Sequence, residues 1–260
     1  GKILPMGFTR NGALYYGLGA GMHDVYVATL DPATGKVLEP PVKATQRFEG
    51  FNRAPAWSRD GTRLAYVSNR SLVPGGIGEN IKALIIRDLK TGEEREFSPE
   101  GMNLAHLRWS PDGRSILSGY SYWMYTSLHL IDVQTGDVTL IVQGNSESQI
   151  NEAVWTPDGK RIFYIRSRLT ETAYIRSIMA HTLETGEEVE LHRGGGNRGL
   201  GVSPDGRQLA FPDTSGQALW VMPIEGGEPS EVHRLKESEN KVIPFRVGPE
   251  WTPDGRYLLF

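Results

Sequence analysis

A five-residue phrase, Trp-Ser/Thr-Pro-Asp-Gly, set between two apolar runs, returns along this chain at a nearly fixed interval. A repeat of that length constrains the fold more than any single residue does. Its clearest copy is Val154-Trp155-Thr156-Pro157-Asp158-Gly159, followed by Ile162-Phe163-Tyr164-Ile165. Proline pre-sets φ for a turn, aspartate bonds back to nearby backbone, and glycine supplies the positive φ that closes it. Asp-Gly between two strand-like runs is the strongest short-range hairpin signal. Trp57, Trp109 and Trp251 head further copies, Val202 replaces the tryptophan in another, and Phe8-Thr9-Arg10-Asn11-Gly12 is a degenerate first one. The turn glycines fall at 12, 61, 113, 159, 206 and 255, giving intervals of 49, 52, 46, 47 and 49 residues.

A second turn interleaves with the first. Thr34-Gly35, Thr91-Gly92, Thr135-Gly136 and Thr185-Gly186 each follow an apolar run, as does Gly226-Gly227. Each period therefore holds four short strands, the content of one propeller blade. A lone sheet that is apolar on both faces cannot bury either, so such blades stack face to face. The expected fold is all-β: a six-bladed β-propeller of four-stranded antiparallel blades, with residues 1–260 as one domain. The repeat tryptophans are expected to fill the wedge between successive blades. The last blade reaches Phe260 after its second strand, so the natural chain is expected to continue and supply the missing pair.

Trp-Ser-Pro-Asp-Gly followed by an apolar strand resembles the WD-like repeat of TolB-type β-propellers. The same repeat is seen in the propellers of prolyl-oligopeptidase relatives and of oligogalacturonate lyase. The resemblance runs from Phe8 to Phe260. It implies a bacterial protein in a periplasmic or other extracytoplasmic place. The lyase likeness would further imply manganese held by histidines of separate blades. Propellers host binding proteins, gates and enzymes alike, so the fold does not decide the function.

Bulk properties exclude several classes. Net charge is −3 and the pI near 6.1, which leaves no overall basic footprint for nucleic acid. Arginine supplies 20 of the 28 basic residues, favouring fixed, hydrogen-bonding cations. The absence of cysteine removes disulfides, thiol catalysis and thiolate metal sites together. No run approaches the ~18 apolar residues of a membrane-spanning helix, so no membrane insertion is expected, and Gly1-Lys2-Ile3-Leu4 is too short an apolar stretch for a signal peptide.

Several stretches depart from the repeat. Gly17-Leu-Gly-Ala-Gly21 has the look of a phosphate loop, but it lies between two strands with no helix N-terminus to hold an anion. Leu38-Glu-Pro-Pro41 is expected as a kinked connector, since proline cannot serve a central ladder strand. Asn69–Asn80 is the longest irregular insertion, either functional or a surface hairpin. Tyr120-Ser-Tyr122-Trp123-Met-Tyr125 either folds onto a blade edge or forms an apolar rim for a protein partner or sugar ring. Arg166, Arg168 and Arg176 are expected as cross-strand charge on a solvated face.

Catalytic motifs are missing. Gly201-Val-Ser203-Pro-Asp205 and Gly119-Tyr-Ser121-Tyr-Trp123 both lack the second glycine of a nucleophile elbow. The histidines at 23, 106, 129, 181, 192 and 233 have no local metal-ligand spacing, and no calcium loop is present. The sequence thus names no catalytic residue, metal or cofactor. What remains is the loop into each innermost strand, which in a propeller reaches the mouth of the axial channel. Those loops offer Asn52, Arg53, His106, Arg108, Asn151, Glu152, Asn197, Arg198 and Arg246. Guanidinium forks there would suit a carboxylate, a phosphate or an acidic peptide, or would bond neighbouring loop carbonyls and aspartates.

The reading that results is a non-enzymatic binding or scaffold propeller for a protein or small acidic ligand. Two alternatives stand beside it: the substrate gate of a prolyl-oligopeptidase-like enzyme whose catalytic domain is not in this chain, and a metal-dependent lyase.

Overall fold

The computed structural model describes residues 2–8, 14–20, 22–31, 34, 36–45, 52–70, 81–99, 104–120, 127–171, 173–196, 199–235 and 248–259. Among these residues every regular element is a strand. The first sheet holds β1 (Lys2–Phe8), β2 (Leu14–Ala20), β3 (Met22–Leu30) and β4 (Val37–Lys43). The second holds β5 (Asn52–Trp57), β6 (Arg63–Arg70), β7 (Ile81–Asp88) and β8 (Glu94–Phe97). In the third are β9 (Leu104–Trp109), β10 (Ser115–Tyr120), β11 (Leu128–Asp132) and β12 (Val138–Val142). The fourth contains β13 (Ser148–Trp155), β14 (Arg161–Leu169), β15 (Tyr174–Thr182) and β16 (Glu188–Arg193). The fifth is built of β17 (Gly201–Val202), β18 (Gln208–Pro212), β19 (Ala218–Pro223) and β20 (Ser230–Arg234). A two-stranded sheet of β21 (Glu250–Trp251) and β22 (Leu258–Leu259) follows.

Strand order within each sheet follows the chain, as hairpin connections dictate. Contacts fall into two compact units, Gly1–Tyr120 with Leu130–Thr139, and Ser121–His129 with Leu140–Phe260. In the first unit, Ala65, Val67, Leu84 and Ile86 of the second sheet share a core with Leu107, Trp109 and Ile116 of the third. In the second unit, Phe163, Ile165 and Ile178 pack with Leu209, Phe211 and Met222. Second and third strands are the buried ones. Fourth strands are exposed along most of their length, β20 throughout.

The repeat turn is held by a side chain that the sequence reading passed over. Ser58, Ser110, Thr156 and Ser203 each donate their hydroxyl to Oδ1 of the aspartate two residues on, at 2.6 Å, and Thr252 does so at 2.5 Å. The same hydroxyls accept the backbone N–H five residues on, at 2.9–3.0 Å. All five are buried. Trp109 donates its indole N–H to the Ala56 carbonyl of the preceding sheet at 2.9 Å, and Trp251 to that of Gly201 at 3.1 Å. Trp109 and Trp251 therefore tether their sheets to the preceding ones. Trp109 is buried, whereas Trp57, Trp155 and Trp251 are half-buried.

Three expectations are corrected. Gly17–Ala20 is no loop: it belongs to β2, where Gly17 pairs with Val25 and Gly19 with His23. Leu38–Pro41 is part of the fourth strand itself, and the ladder to β3 slips twice beside the prolines, as an edge position allows. Arg166 is not on a solvated face. It is half-buried and donates to the Tyr164 hydroxyl at 2.6 Å and to Glu188 Oε2 at 2.7 Å. Residues 71–80 of the long insertion lie outside the described residues, as do 121–126 of the aromatic stretch.

Candidate functional site

The first strands of successive sheets share one distortion. Three residues before Trp57, Trp109 and Trp155 the backbone is left-handed: φ is +50° at Ala54, +51° at His106 and +24° at Glu152. Gly199, in the same position before Val202, has φ +90°. The ladder slips at each of the first three, between Arg53 and Ala56, between Ala105 and Arg108, and between Asn151 and Ala153. A β-bulge of this kind re-aims the adjacent side chains. A non-glycine residue held there costs of order 1–3 kcal/mol, strain that clusters at functional sites. The sequence candidates Arg53, His106, Asn151 and Glu152 all sit at these bulges.

In the second sheet the candidates diverge. Asn52 is buried, and its amide donates to Asp24 Oδ1 of β3 at 2.8 Å, a bond that ties the first two sheets. Asp24 also holds Lys43 at 3.0 Å. Arg53 is the opposite case. It reaches solvent, its pKa is lowered by desolvation, and it makes no hydrogen bond or ion pair among the described residues. Close to it is Lys82 of β7, a residue the sequence reading missed. Burial, followed by the repulsion of Arg53, brings the Lys82 pKa down to about 8.

The remaining candidates are placed as follows. His106 is exposed and Arg108 half-buried on β9. Asn151 of β13 is half-buried and donates to the Ser167 hydroxyl at 3.1 Å. Glu152 follows it at the bulge. The backbone of Tyr120 ends β10. Asn197, Arg198, Arg246, Tyr122, Trp123 and Tyr125 lie outside the described residues.

Other chemistry is thin. Ser203, the nearest approach to a nucleophile elbow, is the hydroxyl of a repeat turn. Among the described residues no three His, Cys, Asp or Glu side chains come together as a metal site, so they offer no set that would hold manganese. A cavity of about 170 Å³ lies at the far end of the second sheet, lined by Arg63, Asp88, Glu93, Arg95 and Gln134 among others. Its arginines are already engaged. Arg63 bonds the Gly113 carbonyl at 2.8 Å and stacks over Trp109, and Arg95 bonds Gln134 at 2.9 Å.

Repeated four-stranded antiparallel sheets joined in chain order, with this bulge and this turn in successive copies, define a β-propeller. Solved structures bear this out. The chain is similar to a putative TolB from Agrobacterium tumefaciens, with a TM-score of 0.69 and 17% identity over 97% of this chain and 86% of that one. It is also similar to an oligogalacturonate lyase in complex with manganese, with a TM-score of 0.68 and 20% identity over 96% and 70%. At such identities the likeness shows the fold alone. No family model matches the chain. In sequence it is similar to the uncharacterized peptidase YuxL of Bacillus subtilis, 32% identical over 134 residues, which are 49% of this chain and 18% of that protein. It is likewise similar to dipeptidyl-peptidase 5 of Porphyromonas gingivalis, 26% identical over 171 residues, 63% of this chain and 24% of the other. The chain thus spans less than a quarter of the length of these curated relatives.

Proposed function

We propose that this chain is a non-enzymatic recognition propeller that takes a peptide or other acidic ligand at the bulged ends of its first strands, with Arg53 as the principal contact. The observation that carries this reading is Arg53 itself. It is a partly desolvated guanidinium without a hydrogen bond or ion pair among the described residues, beside a residue strained into left-handed backbone. A cation so placed is stabilised by an anion brought to it, and a guanidinium fork matches a carboxylate in two bonds. The test is fluorescence anisotropy with N-terminally labelled penta-glutamate. Binding should weaken with added salt, and Arg53→Ala should lower affinity at least tenfold, about 1.4 kcal/mol, while the thermal midpoint stays put. If Arg53→Ala instead lowers the midpoint and leaves binding alone, the arginine is structural.

A second reading has its own support, the sequence similarity to YuxL and dipeptidyl-peptidase 5. In it the propeller admits peptides to a peptidase catalytic domain. Labelling of the natural gene product by a serine-directed fluorophosphonate would favour the gate. No labelling, together with peptide binding, would favour the free-standing binder.

A further inference from the structure

The hairpin between the second and third strands of the fourth sheet runs past its neighbour. Counted from the repeat turn, Ile165 and Pro212 occupy one level, and there the ladder of the fifth sheet ends with Pro212 paired to Leu219. The fourth goes on for four more pairs, from Arg166 with Ser177 to Leu169 with Tyr174. Its tip is closed by Thr170, whose backbone N–H donates to the Ala173 carbonyl at 2.8 Å and whose hydroxyl accepts the Ala173 N–H at 3.1 Å. The Leu169 N–H also donates to the Glu147 carbonyl at 3.1 Å. The overhang is thus hydrogen-bonded to its end rather than left as a loose loop.

Residues paired across strands, and those two apart along a strand, share a face. Ile165 and Ile178 pack into the core with Phe211 of the fifth sheet. The same face continues up the overhang through Ser167 and Arg176 to Leu169 and Tyr174. Beyond the end of the fifth ladder it comes into solvent: Leu169 is 53% exposed and Tyr174 51%. Arg176 lies between this apolar pair and the core, and within the overhang it is the one charged side chain on this face. It is half-buried, its Nε is enclosed without a hydrogen-bond partner, and no hydrogen bond or ion pair reaches its guanidinium among the described residues. Arg166, on the other face of the same hairpin, is instead engaged by Tyr164 and Glu188.

We propose that this overhang docks a protein partner through an extended segment that carries a carboxylate and an apolar side chain two residues apart. The surface is separate from Arg53 and does not rest on the reading above. Arg176 and Tyr174 are themselves two apart on β15, a span of about 6–7 Å. An extended segment laid along them repeats that spacing, with both of its side chains on one face. The carboxylate supplies the acceptor that the guanidinium lacks, and the apolar side chain covers Leu169 and Tyr174. Tyrosine and arginine side by side are the usual composition of an interface anchor. A nucleic acid, charged at every unit, would call for more than the single cation this face offers.

The probe is the peptide Leu-Ser-Glu-Ser-Leu, labelled at its N-terminus and amidated at its C-terminus, read by fluorescence anisotropy against the full chain. Its symmetry serves either strand direction. Exchange of its glutamate for glutamine, or of both leucines for serine, should weaken binding at least tenfold. On the protein, Arg176→Gln and the pair Leu169→Ser with Tyr174→Ser should each do the same. Leu169 and Tyr174 are exposed, so the thermal midpoint of the pair should hold even if Arg176→Gln proves unstable. Binding that ignores the pair, equal binding of the glutamate and glutamine peptides, or no binding at all overturns the docking surface. So does binding that is lost with Arg53→Ala and kept with Arg176→Gln, which would assign the peptide to the second sheet and leave the recognition reading standing.

Discussion

Tyr164 of the second strand in the fourth sheet donates its hydroxyl to Oε1 of Glu188 on the fourth strand, 2.5 Å away and across the strand between them. Tyr66 makes the same bond to Glu94 in the second sheet at 3.0 Å. Burial, reinforced by the glutamate, raises the Tyr164 pKa, so the phenol stays a donor. Burial alone would raise the Glu188 pKa, but hydrogen bonds from Tyr164 and Arg166 outweigh it and lower the value. The pair clips an exposed edge strand to the buried part of its sheet. Tyr164→Phe should cost about 1.5–3 kcal/mol in chemical denaturation, the range for a hydrogen bond to a charged group. Packing should survive, because Phe211 fills the equivalent place in the fifth sheet and is buried there.

The turn aspartates make stability depend on acid. Asp60, Asp112, Asp158, Asp205 and Asp254 all have lowered pKa values, chiefly through the Ser or Thr hydroxyl of the turn, and Asp60 falls to about 2. A carboxylate depressed in the folded state stabilises fully above its unfolded pKa and loses that contribution as pH falls through the folded value. Stability should hold from neutral pH to about 4 and drop between about 4 and 2. Asp60→Asn should flatten that drop by about 1 kcal/mol, discounted for solvent screening. Urea titrations across that range would measure it.

Trp109 is buried, donates to the Ala56 carbonyl, and carries Arg63 stacked 4.6 Å above its ring. Trp109→Ala should cost about 3–5 kcal/mol, the usual loss for a core aromatic. Trp155 is half-buried, so its alanine variant should lose less. The reverse order in denaturation midpoints would contradict the packing described.

Ala54 and Ala56 lie two residues apart with opposite backbone demands. Ala56 is a core residue at 3% exposure, and Ala56→Gly should cost about 1 kcal/mol through chain entropy alone. At Ala54 glycine relieves a left-handed alanine, a gain of about 1–2 kcal/mol that offsets the same entropy. Ala54→Gly should therefore be neutral or stabilising. Equal losses at the two positions in a melting experiment would show that the bulge carries no strain.

The frame was legible in the sequence because each sheet repeats its own turn. Gly61, Gly113, Gly159, Gly206 and Gly255 were placed by spacing, and each has the positive φ that spacing implied. Val37–Lys43 was harder, since Pro40 and Pro41 argue against a strand unless it is known to be an edge. The candidate site was only half legible. Arg53 and Glu152 could be placed by counting back from the tryptophan. Lys82 could not, because it reaches the same end from the third strand, and only the ladder brings it close to Arg53.

The repeat turn closes on itself within a few residues, its hydroxyl, carboxylate and glycine answering one another without help from the opposite end of the sheet. Each copy is therefore fastened at one end and open to rewriting at the other. Arg53-Ala54, Ala105-His106 and Asn151-Glu152 are three different fillings of one mould. A protein built in this way can change what it recognises by exchanging two or three residues in a single copy, and the hinge of the hairpin never registers the change.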